Sequence, residues 1–242
     1  MPEVLPRSPL LRFAPLLALS LLPLFMVAAA PVCRAQEALQ RYGVEIVLDG
    51  QSWDERSLDA VFDALERLPP HVVRQLGGRM GGPLYILCNA EARTLSGRAV
   101  FPHGANFYWS SDGRNEIVLY PGQGTLTVLH ELGHAYQFRM TPGGRYAWVF
   151  FENEMRDFMS ATGWILLSSD AEVAAAGDHT GLRFAHDGPQ VWGVMSHADP
   201  LEDYANSFAL FFYDPERLRS LSPVRYEWML RRVAVDARQP RS

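Results

Sequence analysis

Two histidines four positions apart, His130 and His134, constrain the fold of this chain more than any other feature of its sequence. Side chains at positions i and i+4 meet on one side of an α-helix, with about 5 to 6 Å between their Cβ atoms. That spacing suits two imidazoles that hold one tetrahedral Zn²⁺ ion. Glu131 follows the first histidine directly, where a carboxylate can reach a water on the metal and act as general base. The sequence therefore predicts a metal-binding helix from Thr125 to about Arg139.

A catalytic zinc site needs a third protein ligand and one open position for water. By spacing, two glutamates compete for that role. Glu154 lies 20 positions after His134, a separation similar to that of thermolysin-like enzymes. Glu202 lies 68 positions after His134, on a predicted helix whose small Ala205 would let it approach the metal helix closely. Asn206, one turn after Glu202, is positioned to hydrogen-bond a ligating histidine.

The segment His130-Glu-Leu-Gly-His134, combined with Pro200-Leu-Glu-Asp-Tyr-Ala-Asn-Ser-Phe208, resembles a known family. It is similar to the gluzincin metallopeptidases related to the anthrax lethal factor catalytic domain and to the Pro-Pro endopeptidases. The resemblance covers most of residues 44–230, and its specificity is concentrated in these two motifs. It implies one Zn²⁺ ion held by His130, His134 and Glu202, and so favours Glu202 over Glu154. It also implies a zincin-like fold that cleaves peptide or protein substrates, with Glu131 as the base.

The sequence departs from the family pattern where the resemblance implies a transition-state tyrosine. That position, seven residues before the ligand glutamate, is Met195. His197, five residues before Glu202, is the predicted catalytic substitute, and Tyr108 and His103 are further candidates. Because of Met195, the alternative function is a zinc-binding but catalytically silent protease-fold protein used for recognition at the cell surface.

The N-terminus has the pattern of an export signal. Arg7 and Arg12 precede residues 13–30, which carry no charge. We expect residues 1–35 to form a signal peptide that is cleaved after Ala35, with retention as a membrane anchor as the alternative. The exported protein would then be secreted, periplasmic or held at the cell surface. Cys88 lies in an apolar run and is expected to pack in the core.

Residues 36–242 are predicted to form one α+β domain. Strands are expected at residues 44–48, 84–88, 107–110 and 116–120, and helices at residues 52–68, 125–139, 146–161, 202–213 and 222–235. The predicted architecture is zincin-like, with a small twisted mixed sheet beside the metal helix and a mainly helical C-terminal lobe. Residues 163–200 are expected to be irregular. The formal net charge of −5 argues against a nucleic-acid partner.

The segment Phe107–Ser110 is predicted to be one strand of a hairpin. An exposed edge on this strand would let an extended peptide add to the sheet by main-chain hydrogen bonds. The sequence sets no cleavage preference.

Overall fold

The computed structural model describes residues 22–77, 82–91, 93–99, 105–109, 114–141, 145–177, 181–188 and 199–235, and these form an α+β fold, as predicted. The strands are β1 (Val44–Ile46), β2 (Leu84–Cys88), β3 (Asn106–Trp109), β4 (Asn115–Leu119), β5 (Trp164–Leu166) and β6 (Phe184–His186). The helices are α1 (Leu22–Tyr42), α2 (Glu55–Arg67), α3 (Pro70–Val73), α4 (Thr125–Gln137), α5 (Asn153–Thr162), α6 (Asp170–Ala175), α7 (Pro200–Tyr213), α8 (Pro215–Leu221) and α9 (Pro223–Met229). A 3₁₀-helix covers Tyr146–Phe151, and a π-helical turn covers Leu230–Ala234.

The larger sheet is mixed, and its strand order is β1-β2-β4-β3. β2 runs parallel to both β1 and β4, whereas β3 and β4 form an antiparallel pair. Phe107 of β3 lies opposite Ile117 of β4 in this pair. Among the described strands, β3 therefore lies at an edge of the sheet, which is the position that strand addition requires. Cys88 is fully buried at the end of β2, which agrees with its predicted place in the core.

Asp54 links the start of α2 to the loop that leads into α4. Its Oδ1 accepts a hydrogen bond of 2.8 Å from the backbone N–H of Ser57, which caps the helix. Its Oδ2 accepts another, also of 2.8 Å, from the backbone N–H of Gly122. The carboxylate therefore helps to fix where α4 begins relative to α2, against which α4 packs.

α7 packs extensively against α4 and is held from its other side by a buried ion pair. Arg225 of α9 donates to both carboxylate oxygens of Asp203, with a shortest distance of 2.5 Å, and both side chains are almost fully buried. Trp164 of β5 donates its indole N–H to the same carboxylate at 2.7 Å. Three elements, α7, α9 and β5, therefore meet at Asp203.

Several predicted boundaries need correction. α4 begins at Thr125, as predicted, but it ends at Gln137 and not at about Arg139. The predicted helix 146–161 is a 3₁₀-helix followed by α5, because extended backbone at Glu152 interrupts the helical hydrogen bonding. Helix α8 was not predicted, although Asp214 caps it through Arg217 and Pro215 occupies its first position.

The prediction of a wholly irregular segment 163–200 is wrong in its described part. β5 and β6 form an antiparallel hairpin there, and α6 lies between them. Gly163 ends α5 in the left-handed region, with φ of 87°, and turns the chain into β5. Ser169 and Glu172 form a capping box that starts α6. Three-residue strands give too short an alternation to be recognised as a hairpin.

The predicted cleavage point after Ala35 lies within α1. Arg34 forms an ion pair with Asp59 of α2, and Ala38 is buried. Among the described residues, no helix combines the length and the apolar character needed to cross a membrane. Processing and export stay predictions.

Candidate metal centre

α4 presents both histidines on one side, as their spacing predicts. The ring centroids of His130 and His134 are 4.8 Å apart, and the two rings are nearly perpendicular. The helix forms in spite of Gly133 because its other residues, among them Leu129, Leu132 and Ala135, are buried against the core. The helical backbone thus fixes the separation of the two imidazoles without the help of a metal ion.

The carboxylate of Glu202 reaches both imidazoles from the first turn of α7. Its Oε2 lies 3.2 Å from Nε2 of His130, and its Oε1 lies 3.5 Å from Nε2 of His134. One ligand atom from each of the three residues can be chosen so that all lie within 4.8 Å of one another. A tetrahedral ion with ligand bonds of about 2.0 to 2.2 Å holds its ligand atoms about 3.3 to 3.6 Å apart, close to the two carboxylate–imidazole distances.

The start of α7 explains why Glu202 is held in this place. Asp199 accepts a hydrogen bond of 2.7 Å from the backbone N–H of Leu201 and so caps the helix. Pro200 occupies the first helical position, where its missing N–H costs nothing. The side chain of Glu202 is 25% exposed and that of His130 is 16% exposed, so solvent reaches the cluster.

The second ring nitrogen of each histidine donates to an amide oxygen. Nδ1 of His130 lies 2.9 Å from Oδ1 of Asn206, the contact expected from the sequence. Nδ1 of His134 lies 3.2 Å from Oε1 of Gln137. This contact was not predicted, although Gln137 lies three residues after His134 on the same helix, within reach of its ring. With Nδ1 directed at an amide oxygen, each imidazole turns its Nε2 towards Glu202, and a metal ion can bind there by displacing any proton on that nitrogen.

Glu131 is buried beside the cluster, with 5% of its surface exposed. Its Oε1 lies 4.0 Å from Nε2 of His130. Burial raises the pKa of the Glu131 carboxyl, and the nearby His130 and His134 partly offset this effect. The carboxylate also accepts a hydrogen bond from the backbone of Phe107, so the edge strand β3 contacts it directly.

The electrostatics of the cluster favour a positive charge among these side chains. Burial would lower the pKa of His134, but Glu202, Glu131 and the hydrogen bond to Gln137 together outweigh it and raise this pKa to about 9. Burial would likewise raise the pKa of Glu202, but His134 and His130 hold it well below its usual range. The site thus attracts a proton when it is metal-free, and a divalent cation satisfies the same carboxylate.

Glu154, the competing third ligand, is engaged elsewhere. Its two carboxylate oxygens accept hydrogen bonds from Arg139, at 3.1 and 2.5 Å, and one of them also accepts from the hydroxyl of Tyr204 at 3.0 Å. The structure brings Glu202, and not Glu154, to the two imidazoles within the part of the chain that it describes.

Of the three candidates for the transition-state donor, only Tyr108 is among the described residues. His197 and His103, like Met195, lie outside the described residues. Tyr108 lies on β3, where alternation puts its side chain on the opposite face from Phe107. Phe107 stacks on Phe138 at the end of α4, whereas the hydroxyl of Tyr108 accepts a hydrogen bond from Arg98. Tyr108 is therefore directed away from the α4 side of the sheet.

No protein-family model matches the sequence, and no curated protein is detectably similar to it. His130, His134 and Glu202 form a group that could bind one metal ion, with the buried carboxylate of Glu131 beside it.

Proposed function

We propose that this protein is an exported, zinc-dependent endopeptidase that resembles the gluzincins. The observation that carries the proposal is the convergence of His130, His134 and Glu202 from two helices, with their ligand atoms within 4.8 Å of one another. Two imidazole nitrogens and one carboxylate oxygen form a donor set typical of catalytic zinc sites, which keep a fourth position open. A structural zinc site would be expected to supply four protein ligands.

The residues of the chain divide the chemistry among them. Bound Zn²⁺ would supply Lewis acidity, which lowers the pKa of water towards neutrality and polarises a peptide carbonyl. Glu131 would accept a proton from the attacking water and deliver it to the leaving amine. Burial raises the pKa of the Glu131 carboxyl, and a shift in this direction makes the group a stronger base and brings it closer to the balance that a general acid–base needs. Asn206 and Gln137 would hold the two imidazoles in the orientation that the reaction requires.

The edge strand β3 supports a peptide as substrate. Phe107 donates its backbone N–H to Glu131 and therefore lies within hydrogen-bond reach of the general base. An extended peptide that added along this edge would pass beside the same carboxylate. The edge position of β3 among the described strands and the partial exposure of Glu202 favour a main-chain recognition mode over a deep pocket for a small molecule.

A zinc-binding but catalytically silent protein is the second candidate, and the identity of Met195 favours it. An active enzyme needs a donor for the developing oxyanion, and the loss of one such donor typically lowers turnover about a hundred- to a thousandfold. In the proposed enzyme, His197 takes this role. A His197→Ala variant would then bind zinc as the wild type does but cleave peptides far more slowly.

The proposal is tested by incubating the zinc-loaded full-length protein with a peptide library and identifying products by mass spectrometry, with and without a chelator. We expect chelator-sensitive cleavage that zinc restores. Glu131→Gln is the matched variant, because it should keep the zinc ion and lose cleavage. A wild type that binds one zinc ion and cleaves nothing would contradict the endopeptidase proposal and favour the silent protein.

A further inference from the structure

The carboxylate of Glu154 joins the helices that carry the two halves of the metal site. It accepts hydrogen bonds from Arg139, just after the C-terminus of α4, and from Tyr204 on α7. Tyr204 follows Glu202 by two residues, and its side chain is buried. A single side chain of α5 therefore connects the end of the histidine helix to the beginning of the glutamate helix.

Arg139 is itself fixed to the end of α4. Its Nη1 donates to the backbone carbonyl of Tyr136 at 2.7 Å, and its guanidinium carbon lies 3.8 Å from the centroid of the Tyr136 ring. Its Nε donates to the amide oxygen of Gln75 at 3.0 Å. Because Arg139 is hydrogen-bonded to the last turn of α4, a change in the position of Glu154 would also shift that turn.

The next residue of α5 reaches the metal site by a second route. Sδ of Met155 lies 3.3 Å from Nε2 of Gln137, and Oε1 of Gln137 accepts from Nδ1 of His134. α5 thus contacts the orienting partner of one ligand through Met155, and the neighbour of another ligand through Glu154. An ion pair at the surface would not need a second contact from the same helix to the metal site.

We propose that Glu154 is a positioning residue for the metal site, setting the separation between His134 and Glu202 through Arg139 and Tyr204. This inference rests on the zinc centre of the proposed function and gives a role to a carboxylate that is not itself a ligand. Its contribution would appear in the affinity for the ion and in the geometry around it. Loss of a residue that orients metal ligands typically weakens metal affinity about 10- to 100-fold.

The test compares zinc affinity, measured by competition with a chromophoric chelator, and the visible spectrum of the Co²⁺-substituted protein, which reports the coordination geometry. Because Glu154 contacts the ligands only through Arg139 and Tyr204, Glu154→Ala should weaken zinc binding by roughly 10-fold, the lower end of the range for direct partners, and alter the Co²⁺ spectrum. Glu154→Gln, which can keep a hydrogen bond to Arg139 but lacks the charge, should have a smaller effect of the same kind. Tyr204→Phe removes only one hydroxyl group. It therefore tests the same contact if Glu154→Ala does not fold.

Asp157→Asn is the matched control on the same helix. Its carboxylate accepts from Trp228 of α9 at 2.8 Å and from Arg232 of the π-helical turn at 3.1 Å, so neither partner lies on a ligand helix. We expect it to lower the thermal unfolding temperature without changing zinc affinity or the Co²⁺ spectrum. Equal zinc affinity and identical Co²⁺ spectra in the wild type, Glu154→Gln and Tyr204→Phe would overturn the inference. So would an equal loss of affinity in Asp157→Asn. A wild type that binds no zinc would instead remove the proposed function on which the inference rests.

Discussion

The Cα atom of Ala205 lies 3.1 Å from the point that a Cβ atom on Gly133 would occupy. Cβ and Cδ1 of Phe208 both lie 3.2 Å from the same point. Gly133 directly precedes His134 in the histidine motif, and Ala205 is three residues after Glu202. The absence of a side chain at position 133 therefore allows α7 to approach α4 closely enough for Glu202 to reach both imidazoles.

Gly133→Ala should consequently move the two ligand helices apart. Inserting a methyl group into a closely packed contact typically costs about 1 to 3 kcal/mol, and here the strain acts directly on the ligand set. We expect a lower free energy of unfolding and weaker zinc binding, measured by urea denaturation and chelator competition. Gly177→Ala, where nothing lies within 4 Å of the added methyl, is the control and should change neither quantity appreciably. Unchanged zinc binding in Gly133→Ala would contradict this role of the helix contact.

Asn206 should control how strongly His130 binds the metal. Asn206→Ala removes the acceptor for Nδ1, and we expect zinc affinity to fall about 10- to 100-fold. Asn206→Asp keeps the acceptor and adds a negative charge, which increases the basicity of the imidazole and should make zinc affinity at least equal to that of the wild type. Chelator competition measures both variants. Equal affinities of the alanine and aspartate variants would show that the contact has no effect on the metal.

The buried pair of Asp203 and Arg225 should be costly to break from one side. Arg225→Met leaves the carboxylate of Asp203 buried without its cation, and such a loss typically costs about 3 to 5 kcal/mol. Asp203→Asn with Arg225→Met removes both charges, so the double variant should be less destabilised than the sum of the two single variants. Urea denaturation of the four proteins measures this coupling. Additive losses would mean that the two charges do not stabilise each other.

Asp54 should make a pH-dependent contribution to stability. Burial would raise its pKa, but hydrogen bonds from Ser57 and Gly122 outweigh this and lower it. Because the folded protein has the lower pKa, the stabilisation is complete above the unfolded-state pKa of about 3.9 and is lost as the pH falls through the folded-state pKa. Asp54→Ala should therefore lower the unfolding free energy by about 1 to 2 kcal/mol at pH 7. This difference should shrink at acidic pH, and a pH-independent difference would contradict the account.

The part of the site that the sequence predicts best is the part that depends on local geometry. Helical periodicity alone puts His130 and His134 on one side of α4, and it puts Asn206 one turn after Glu202 on α7. Each relation lies within a single helix, so it needs no knowledge of the tertiary fold. The strands β2 and β4 are also recognised within one residue, because continuous apolar runs are bounded by turn-forming residues.

What escapes prediction depends on contacts between distant segments. Sequence spacing cannot show that Arg139 and Tyr204 bind the carboxylate of Glu154 away from the metal site. These residues come into contact only after α4, α5 and α7 have packed. The buried contacts among Asp203, Arg225 and Trp164 likewise leave no pattern in the local sequence. The pairing of β5 with β6 was not predicted. These short strands are stabilised by packing around Trp164 and do not show a long alternating pattern.

His130, His134 and Glu202 together should hold one metal ion, and calorimetric titration of the metal-stripped full-length protein with Zn²⁺ measures this binding. We predict one tight site in the wild type and in Glu131→Gln. The same titration should give a large loss of affinity in Glu202→Ala, because the variant keeps only two of the three ligands. No tight site in the wild type, or an unchanged affinity in Glu202→Ala, would contradict the claim.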